Sequence, residues 1–129
     1  NLKEVFCIGE NKVQKKNKKT FSVLKKQLTK VLDKKFDKNN LIIAYEPIWS
    51  IGTGKLPTKK ELQKTTIFIK QVLKSIFKKK DGPAVLYGGS VDGSNVEMFK
   101  EIKEIDGFLI GGASKSSKKF IDIIKNYYR

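Results

Sequence analysis

The sequence predicts an α/β fold, in which a parallel β-sheet is covered by α-helices. Four short apolar segments of strand length alternate with four segments in which apolar residues recur every three or four positions, as on one face of a helix. The segment 41–45 is apolar without interruption, which is typical of a parallel strand with both faces covered. The 129 residues leave room for one domain.

The predicted strands cover residues 5–8, 41–45, 84–87 and 108–110. The first predicted helix covers residues 20–35, because gaps of three and four positions bring side chains to one side of a helix. Its expected apolar face consists of Phe21, Leu24, Leu28 and Val31.

The second predicted helix covers residues 58–79. Thr58 and Glu61 have the spacing of a capping box, in which each side chain accepts a backbone N–H group of the other residue. The sequence Asp81-Gly82-Pro83 is expected to stop this helix and turn the chain into the next strand. The expected apolar face consists of Leu62, Ile69, Leu73, Ile76 and Phe77.

Two further helices complete the pattern of strand–helix units. The third covers residues 94–102, and the last lies near the end of the chain. One side of the last helix carries Phe120, Ile123, Ile124 and Tyr127. Alternation of strands and helices throughout the chain favours a parallel sheet.

Two architectures fit this alternation, an open doubly wound sheet and part of a closed eightfold (β/α)8 barrel. Both place the functional site at the carboxyl ends of the strands. No Gly-x-Gly-x-x-Gly or phosphate-loop lysine motif follows a predicted strand. Four units are half of an eightfold barrel, and the chain has about half of the roughly 250 residues typical of one. The sequence therefore favours a half-barrel.

The formal net charge of +15 raises the possibility of nucleic-acid binding, but its distribution argues against it. Lys and Arg total 28 residues, and Arg129 is the single arginine. Arginine supplies the planar fork that reads guanine edges and grips phosphates. The lysines are spread over the predicted helices, and no recognition motif accompanies them. We therefore expect solvated helix faces that attract anionic substrates, and no nucleic-acid partner.

The cysteine and histidine content excludes several kinds of chemistry. The lone Cys7 excludes an internal disulfide and suits the cytoplasm, and its apolar surroundings predict a buried structural thiol. The absence of histidine excludes Cys–His and Ser–His catalysis and a His-ligated metal within this chain. No segment approaches the roughly 18 apolar residues of a membrane span, so no membrane partner is expected.

Glu46 is the strongest candidate for a catalytic residue. It directly follows the strand 41–45, and Pro47 favours an extended backbone at Glu46. The following residues combine an anchor, Ile48-Trp49, with a flexible tip at Gly52 and Gly54. This composition predicts a lid, although a strand-end acid before an ordinary surface loop is the simpler reading of the glutamate alone.

Paired glycines follow the third and fourth predicted strands, in Gly88-Gly89-Ser90 and Gly111-Gly112. Glycine pairs allow backbone N–H groups to converge on an anion, although they also form tight turns. Two such pairs on consecutive strands match the phosphate site of barrels, which lies after the seventh and eighth strands. We expect the N–H groups of Ser90, Gly112 and Gly52 to hold the phosphate oxygens.

Taken together, these motifs resemble the carboxyl-terminal half of the triosephosphate isomerase family. Cys7-Ile8-Gly9-Glu10 is similar to the end of the family's fifth strand, and residues 45–54 are similar to its sixth strand and lid. Residues 87–91 with Asn95 resemble the seventh strand loop, and residues 107–114 resemble the eighth. The resemblance covers nearly the whole chain and implies that residues 1–129 are half of a single TIM-barrel domain.

The resemblance implies an isomerase of glycolysis and gluconeogenesis that interconverts dihydroxyacetone phosphate and D-glyceraldehyde 3-phosphate. Glu46 would be the general base, and Gly52, Ser90, Gly111 and Gly112 would bind the substrate. No cofactor or metal is implied, and the complete protein would be a cytoplasmic homodimer. The implied lid consists of Pro47, Ile48, Trp49, Ser50, Ile51, Gly52, Thr53, Gly54, Lys55, Leu56 and Pro57.

The chain also departs from the family pattern. The family's histidine electrophile, and the asparagine and lysine beside the substrate, belong to its first four units, so we expect this chain alone to be inactive. The family usually has alanine where this chain has Pro57, which predicts a stiffer closing hinge. The alternatives are another phosphate-binding barrel enzyme and a non-catalytic basic binding module.

Overall fold

The computed structural model describes residues 2–78 and 81–129. Within these residues one parallel sheet contains four strands in the sequential order β1-β2-β3-β4. The first three predicted strands are confirmed to within one residue, whereas the fourth lies one to two residues earlier than predicted. The strands are β1 (Glu4–Ile8), β2 (Leu41–Tyr45), β3 (Ala84–Tyr87) and β4 (Gly107–Phe108).

The sequential strand order is that of a barrel and not that of a doubly wound sheet. A doubly wound sheet reverses its strand order and carries helices on both faces, whereas successive right-handed crossovers in one direction place every helix on one face. In agreement, the alternate residues Ile8, Ile43 and Val85 are buried in a single core together with helix residues.

The opposite side of the sheet, which we call the inner face, is open. It carries Val5, 46% exposed, and Cys7, which is also exposed. The predicted buried thiol is therefore wrong. An apolar run does not reveal which of its two faces is covered, because successive strand residues point to opposite sides. The helices of this chain cover only the side opposite Cys7.

Four α-helices lie among the described residues, α1 (Lys12–Lys16), α2 (Thr20–Val31), α3 (Lys59–Phe77) and α4 (Ser117–Tyr128). The sequence did not predict α1, which has no buried residue and starts at a capping box formed by Asn11 and Gln14. No helix in the described part of the chain is long and apolar enough to cross a membrane.

Helix α2 is shorter than predicted and its apolar face is only partly covered. Leu24 and Leu28 are fully buried, but Phe21 and Val31 are exposed. The helix ends at Val31 because the next residue is extended and the Asp33 carboxylate accepts the backbone N–H of Lys35 at 2.7 Å. The predicted end at residue 35 is therefore wrong.

Helix α3 starts at the predicted capping box. Thr58 Oγ1 accepts the N–H of Glu61 at 3.2 Å, and the Glu61 carboxylate accepts the N–H of Thr58 at 2.8 Å. The helix ends at Phe77 because Lys78 adopts a left-handed conformation, with φ of 51°. The predicted end at residue 79 lies outside the described residues. Of its predicted apolar face, all residues are buried except Ile76, which is partly buried.

The predicted helix 94–102 is replaced by a short 3₁₀ helix, Val96–Phe99. The Asp92 carboxylate accepts the N–H groups of Ser94 and Asn95, which turns the chain tightly before the helix begins. A second 3₁₀ helix, Gly112–Lys115, precedes α4. The predicted face of α4 is buried at Ile123 but largely exposed at Phe120 and Ile124.

Five rings on the helix side of the sheet form a continuous series of contacts, which we call the aromatic row. Neighbouring ring centroids lie between 5.1 and 6.4 Å apart. These are typical separations for attractive aromatic pairs. The row links β2, β3, β4 and α4 beneath the carboxyl edge of the sheet, and its members in order are Tyr45, Tyr87, Phe99, Phe108 and Tyr127.

Candidate active site

Strand register brings the candidate base to the centre of the sheet's carboxyl edge. Ile8, Tyr45 and Tyr87 lie side by side in neighbouring strands, so the residues that follow them also lie level. The N–H of Glu46 donates to the carbonyl of Ile8 at 2.7 Å, and the N–H of Gly88 donates to the carbonyl of Tyr45 at 2.9 Å. The half-buried Glu46 is thus held by backbone hydrogen bonds at the end of β2.

Two glycines leave the space that Glu46 occupies. A Cβ atom at Gly9 would lie 1.8 Å from the Glu46 carbonyl oxygen. A Cβ atom at Gly88 would lie 2.6 Å from Glu46 Cγ and 2.8 Å from Oε1. Since carbon atoms in contact are normally about 3.5 to 4.0 Å apart, a Cβ atom at Gly9 would clash with the backbone of Glu46, and one at Gly88 would displace its side chain.

Cys7 lies on the inner face next to Glu46. Although the residue is exposed, partial desolvation raises the pKa of its thiol, and the negative charge and hydrogen bonding of the Glu46 carboxylate raise it further. The thiol therefore stays protonated and can donate to the carboxylate. The sequence motif placed Cys7 near the site, but it did not indicate this contact.

A cavity of about 920 Å³ opens in front of Glu46. The structure brings all five predicted site residues to its wall, although they come from three different loops. The cavity is also lined by Lys119 and by the tip of the lid. The predicted site residues on its wall are Glu46, Gly52, Ser90, Gly111 and Gly112.

The predicted lid, residues 47–57, is buried at both ends and exposed at its tip, residues 51–55. Pro47 and Pro57 are buried, whereas Ile51 at the tip is 48% exposed. Gly52 and Gly54 have φ angles of 65° and 71°, which residues with a side chain rarely adopt. The N–H of Gly54 donates to Ser90 Oγ at 3.3 Å, so the tip reaches across to the loop after β3.

The two glycine pairs differ in the reason why glycine occupies each position. A Cβ atom at Gly89 would lie 2.0 Å from the Tyr87 hydroxyl, so packing excludes any larger residue there. At Gly111 and Gly112 a Cβ atom would meet nothing within 4 Å, and neither residue has a positive φ. Packing therefore does not explain the second pair. The open space at the start of the 3₁₀ helix, where N–H groups lack helical partners, suits an anion.

Glu10 forms a buried polar cluster that the sequence did not predict. Its carboxylate is 1% exposed, accepts the Tyr45 hydroxyl at 3.2 Å and accepts Trp49 Nε1 at 2.8 Å. Burial raises the pKa of Tyr45, and the Glu10 charge adds to the effect, so the phenol stays a donor. Lys15 Nζ lies 3.4 Å from the centre of the Trp49 ring. These contacts hold the first half of the lid.

Asn95 fixes the loop after β3. Its side-chain amide donates to the carbonyl of Ser90 at 3.2 Å, and its carbonyl oxygen accepts the N–H of Asp92 at 3.0 Å. Among the described residues no group of three or more His, Cys, Asp or Glu side chains is placed to hold a metal ion. The candidate site thus combines the Glu46 carboxylate, backbone N–H groups and the predicted lid, and Asp92 and Asp122 also line its cavity.

The family model of triosephosphate isomerase matches residues 1–127. The chain belongs to the triosephosphate isomerase family. It is 42% identical over 124 residues to triosephosphate isomerase of Saccharomyces cerevisiae, covering 95% of this chain and 50% of the relative. It is 43% identical over 126 residues to the enzyme of Yarrowia lipolytica, covering 97% of this chain and 51% of the relative.

The crystal structure of triosephosphate isomerase from Bartonella henselae matches 99% of this chain and 51% of its own, with a TM-score of 0.86 and 32% identity. The chain therefore spans about half the length of the triosephosphate isomerases it matches, and its sheet is half of a TIM barrel. The predicted family and half-barrel are confirmed, and the doubly wound alternative is wrong.

Proposed function

We propose that residues 1–129 form the carboxyl-terminal half of a single TIM-barrel domain and supply the base, the lid and the phosphate site of a triosephosphate isomerase. The complete enzyme would interconvert dihydroxyacetone phosphate and D-glyceraldehyde 3-phosphate. The convergence of Glu46, the lid tip and two glycine loops on one cavity is the observation that supports this proposal.

Glu46 acts as the general base in this proposal. Its carboxylate removes a proton from the carbon next to the substrate carbonyl, which produces an enediolate, and then returns a proton to the neighbouring carbon. A carboxylate deprived of water is a stronger base than one in bulk solvent. The half-buried position of Glu46 and the lid above the cavity both limit the access of water.

The substrate phosphate binds at the far side of the cavity. Its oxygens accept the N–H groups of Gly52, Ser90 and Gly112, and Gly111 leaves the space for them. Ser90 Oγ already contacts Gly54 in the lid, so the same loop would hold the phosphate and the lid. The cavity wall also carries Asp122 and Lys119. Hydrogen bonds from Ser94 lower the pKa of the neighbouring Asp92, and the positive charge of Lys119 helps to lower it.

The isolated chain lacks a group to polarise the substrate carbonyl. It contains no histidine, and an electrophile of this kind contributes on the order of 10²-fold or more to the rate. We therefore propose that the chain is inactive alone and requires the other half of the barrel. The cytoplasmic location and homodimeric state implied by the family resemblance belong to the same proposal.

A chimera tests this proposal. Residues 1–129 replace the matched half of the Saccharomyces cerevisiae enzyme, and isomerisation of glyceraldehyde 3-phosphate is measured. We expect the chimera to be active and Glu46→Gln to lower kcat by about 10²- to 10⁴-fold. Glu97→Gln is the control, because it makes the same substitution at an exposed residue, and it should leave kcat unchanged. A folded but inactive chimera, or normal turnover by Glu46→Gln, would contradict the proposal. Substantial turnover by the isolated chain would contradict its predicted inactivity.

A further inference from the structure

Ser50 is a completely buried polar residue next to the exposed tip of the lid. Its side chain is 0% exposed, whereas Ile48 and Ile51 around it are 57% and 48% exposed. Placing the hydroxyl inside and the apolar side chains outside reverses the usual preference of these residue types. A buried hydroxyl without partners is unfavourable, so the arrangement requires compensating hydrogen bonds.

The Ser50 hydroxyl has a partner on each side. Oγ donates to the carbonyl of Lys55 at 2.5 Å, which joins the residues on either side of the lid tip. Since its only hydrogen is used there, Oγ accepts the Tyr87 hydroxyl at 3.2 Å. It also lies 3.5 Å from the backbone N of Ser90. One hydroxyl thus ties both halves of the lid to the end of β3.

The backbone of Ser50 adds a second connection to the same place. Its carbonyl accepts Ser90 Oγ at 2.7 Å, and Ser90 Oγ in turn accepts the N–H of Gly54 at the lid tip. Tyr87 belongs to the sheet and is 1% exposed, so it provides a fixed point for these contacts. We call this set of contacts the hydroxyl latch; it comprises Ser50, Gly54, Lys55, Tyr87 and Ser90.

We propose that Ser50 is a positioning residue that holds the lid shut over Glu46. This inference rests on the proposed function, because the shut lid matters only if Glu46 reacts there. When the lid lifts, the contacts of Ser50 with Tyr87 and Ser90 must break, since both partners stay with the sheet.

Ser50→Ala in the active chimera tests the latch during turnover. Because the contacts of Ser50 Oγ with Tyr87 and Ser90 are long, each corresponds to roughly threefold in an equilibrium, near the lower end of the range for a net hydrogen bond, and loss of both gives a lid that is about tenfold less often shut. We expect kcat to fall about tenfold with KM nearly unchanged. We also expect more inorganic phosphate release per isomerisation, because the enediolate then stays open to water. A purely structural role of Ser50 would lower the amount of folded enzyme but not change this ratio.

Two controls make the result specific. Thr29→Ala removes a hydroxyl that bonds only within α2, to the carbonyl of Lys25, and should change neither rate nor phosphate release. Tyr87→Phe removes the partner of Ser50, so its effect should be smaller in the Ser50→Ala background than alone. Wild-type kcat and phosphate release in Ser50→Ala, or fully additive effects of the two changes, would overturn the proposal.

Trypsin cleavage of the full isolated chain after Lys55 gives an assay that does not depend on catalysis. Lys55 is exposed within the lid, and its carbonyl is the one that Ser50 holds. We expect Ser50→Ala to be cut there about tenfold faster, whereas equal cleavage rates would overturn the latch. An inactive chimera combined with faster cleavage would refute the proposed function and leave the latch supported.

Discussion

Alanine in place of Gly88 tests whether the position of Glu46 controls its reactivity. The added Cβ atom would lie 2.6 Å from Glu46 Cγ and 2.8 Å from Oε1. Contact between carbon atoms normally requires about 3.5 to 4.0 Å, so the carboxylate must move by about 1 Å. The clash involves the end of a flexible side chain and no backbone atom, so the fold can accommodate it.

A displacement of this size is large for a reacting group. A 1 Å misplacement of reacting atoms reduces the rate by about 10²-fold. We therefore expect Gly88→Ala in the chimera to lower kcat/KM about 100-fold, with a change of less than about 1 kcal/mol in the free energy of unfolding. The rate should fall without a matching loss of stability, because the carboxylate moves while the sheet remains intact.

Steady-state kinetics and urea unfolding of the same preparation measure both quantities. Gly82→Ala is the matched control, because its Cβ atom would meet only Leu73 Cβ at 3.4 Å, an ordinary contact away from the site. It should leave kcat/KM unchanged. If Gly88→Ala keeps kcat/KM within twofold of the wild type, the space beside Glu46 does not determine its position and the reasoning fails.

Three further predictions concern the lid and helix α3 in the same chimera. Glu10→Gln should lower the urea-unfolding free energy by about 2 kcal/mol, because a buried charged acceptor of Trp49 is lost; an unchanged midpoint would contradict this. Pro57→Ala should speed lid opening and closing without abolishing activity, as measured by NMR relaxation; unchanged rates would refute the stiff hinge. Thr58→Ala should destabilise by about 1 kcal/mol at pH 7 through loss of the helix cap. The pKa of Glu61 is lowered chiefly by the Thr58 backbone N–H, which alanine keeps, and further by the Thr58 hydroxyl, which donates to the Glu61 carboxylate at 2.9 Å and is lost. The hydroxyl's part of the stabilisation is present above the usual glutamate pKa and is lost as pH falls through the lowered value, so the difference should shrink below about pH 4.

Local patterns predicted the strands and the start of α3 because these features depend on nearby residues. The uninterrupted apolar run of β2 and the Thr58–Glu61 pair each act over a few positions. Helix α1 was missed because a five-residue helix without a buried side chain has no apolar periodicity. The end of α2 was wrong because the Asp33 side chain competes for a backbone N–H, which hydrophobic spacing does not register.

The sequence predicted which residues of the candidate site lie together, but it did not predict the side-chain contacts between distant parts of the chain. Parallel strands bring their carboxyl ends to one edge, so the motifs were sufficient to place Glu46 and the glycine loops together. The pairs Glu10–Trp49 and Ser50–Tyr87 join residues 39 and 37 positions apart, and no local pattern links them. The exposure of Cys7 was likewise hidden, because it depends on which face of the sheet the helices cover.

The aromatic row has a consequence for how the protein loosens. Its rings belong to the last three strand–helix units, and each ring contacts the next, so separating any one of these units removes a packing partner from its neighbour. Local openings of these units are therefore suppressed, and β2, β3, β4 and α4 should exchange amide hydrogens as one cooperative block. The lid stands above this block and contacts Tyr87 through the Ser50 hydroxyl. We therefore expect the amides at the strand ends beneath the site to exchange only on global unfolding, and the amides of the lid to exchange when the lid opens independently.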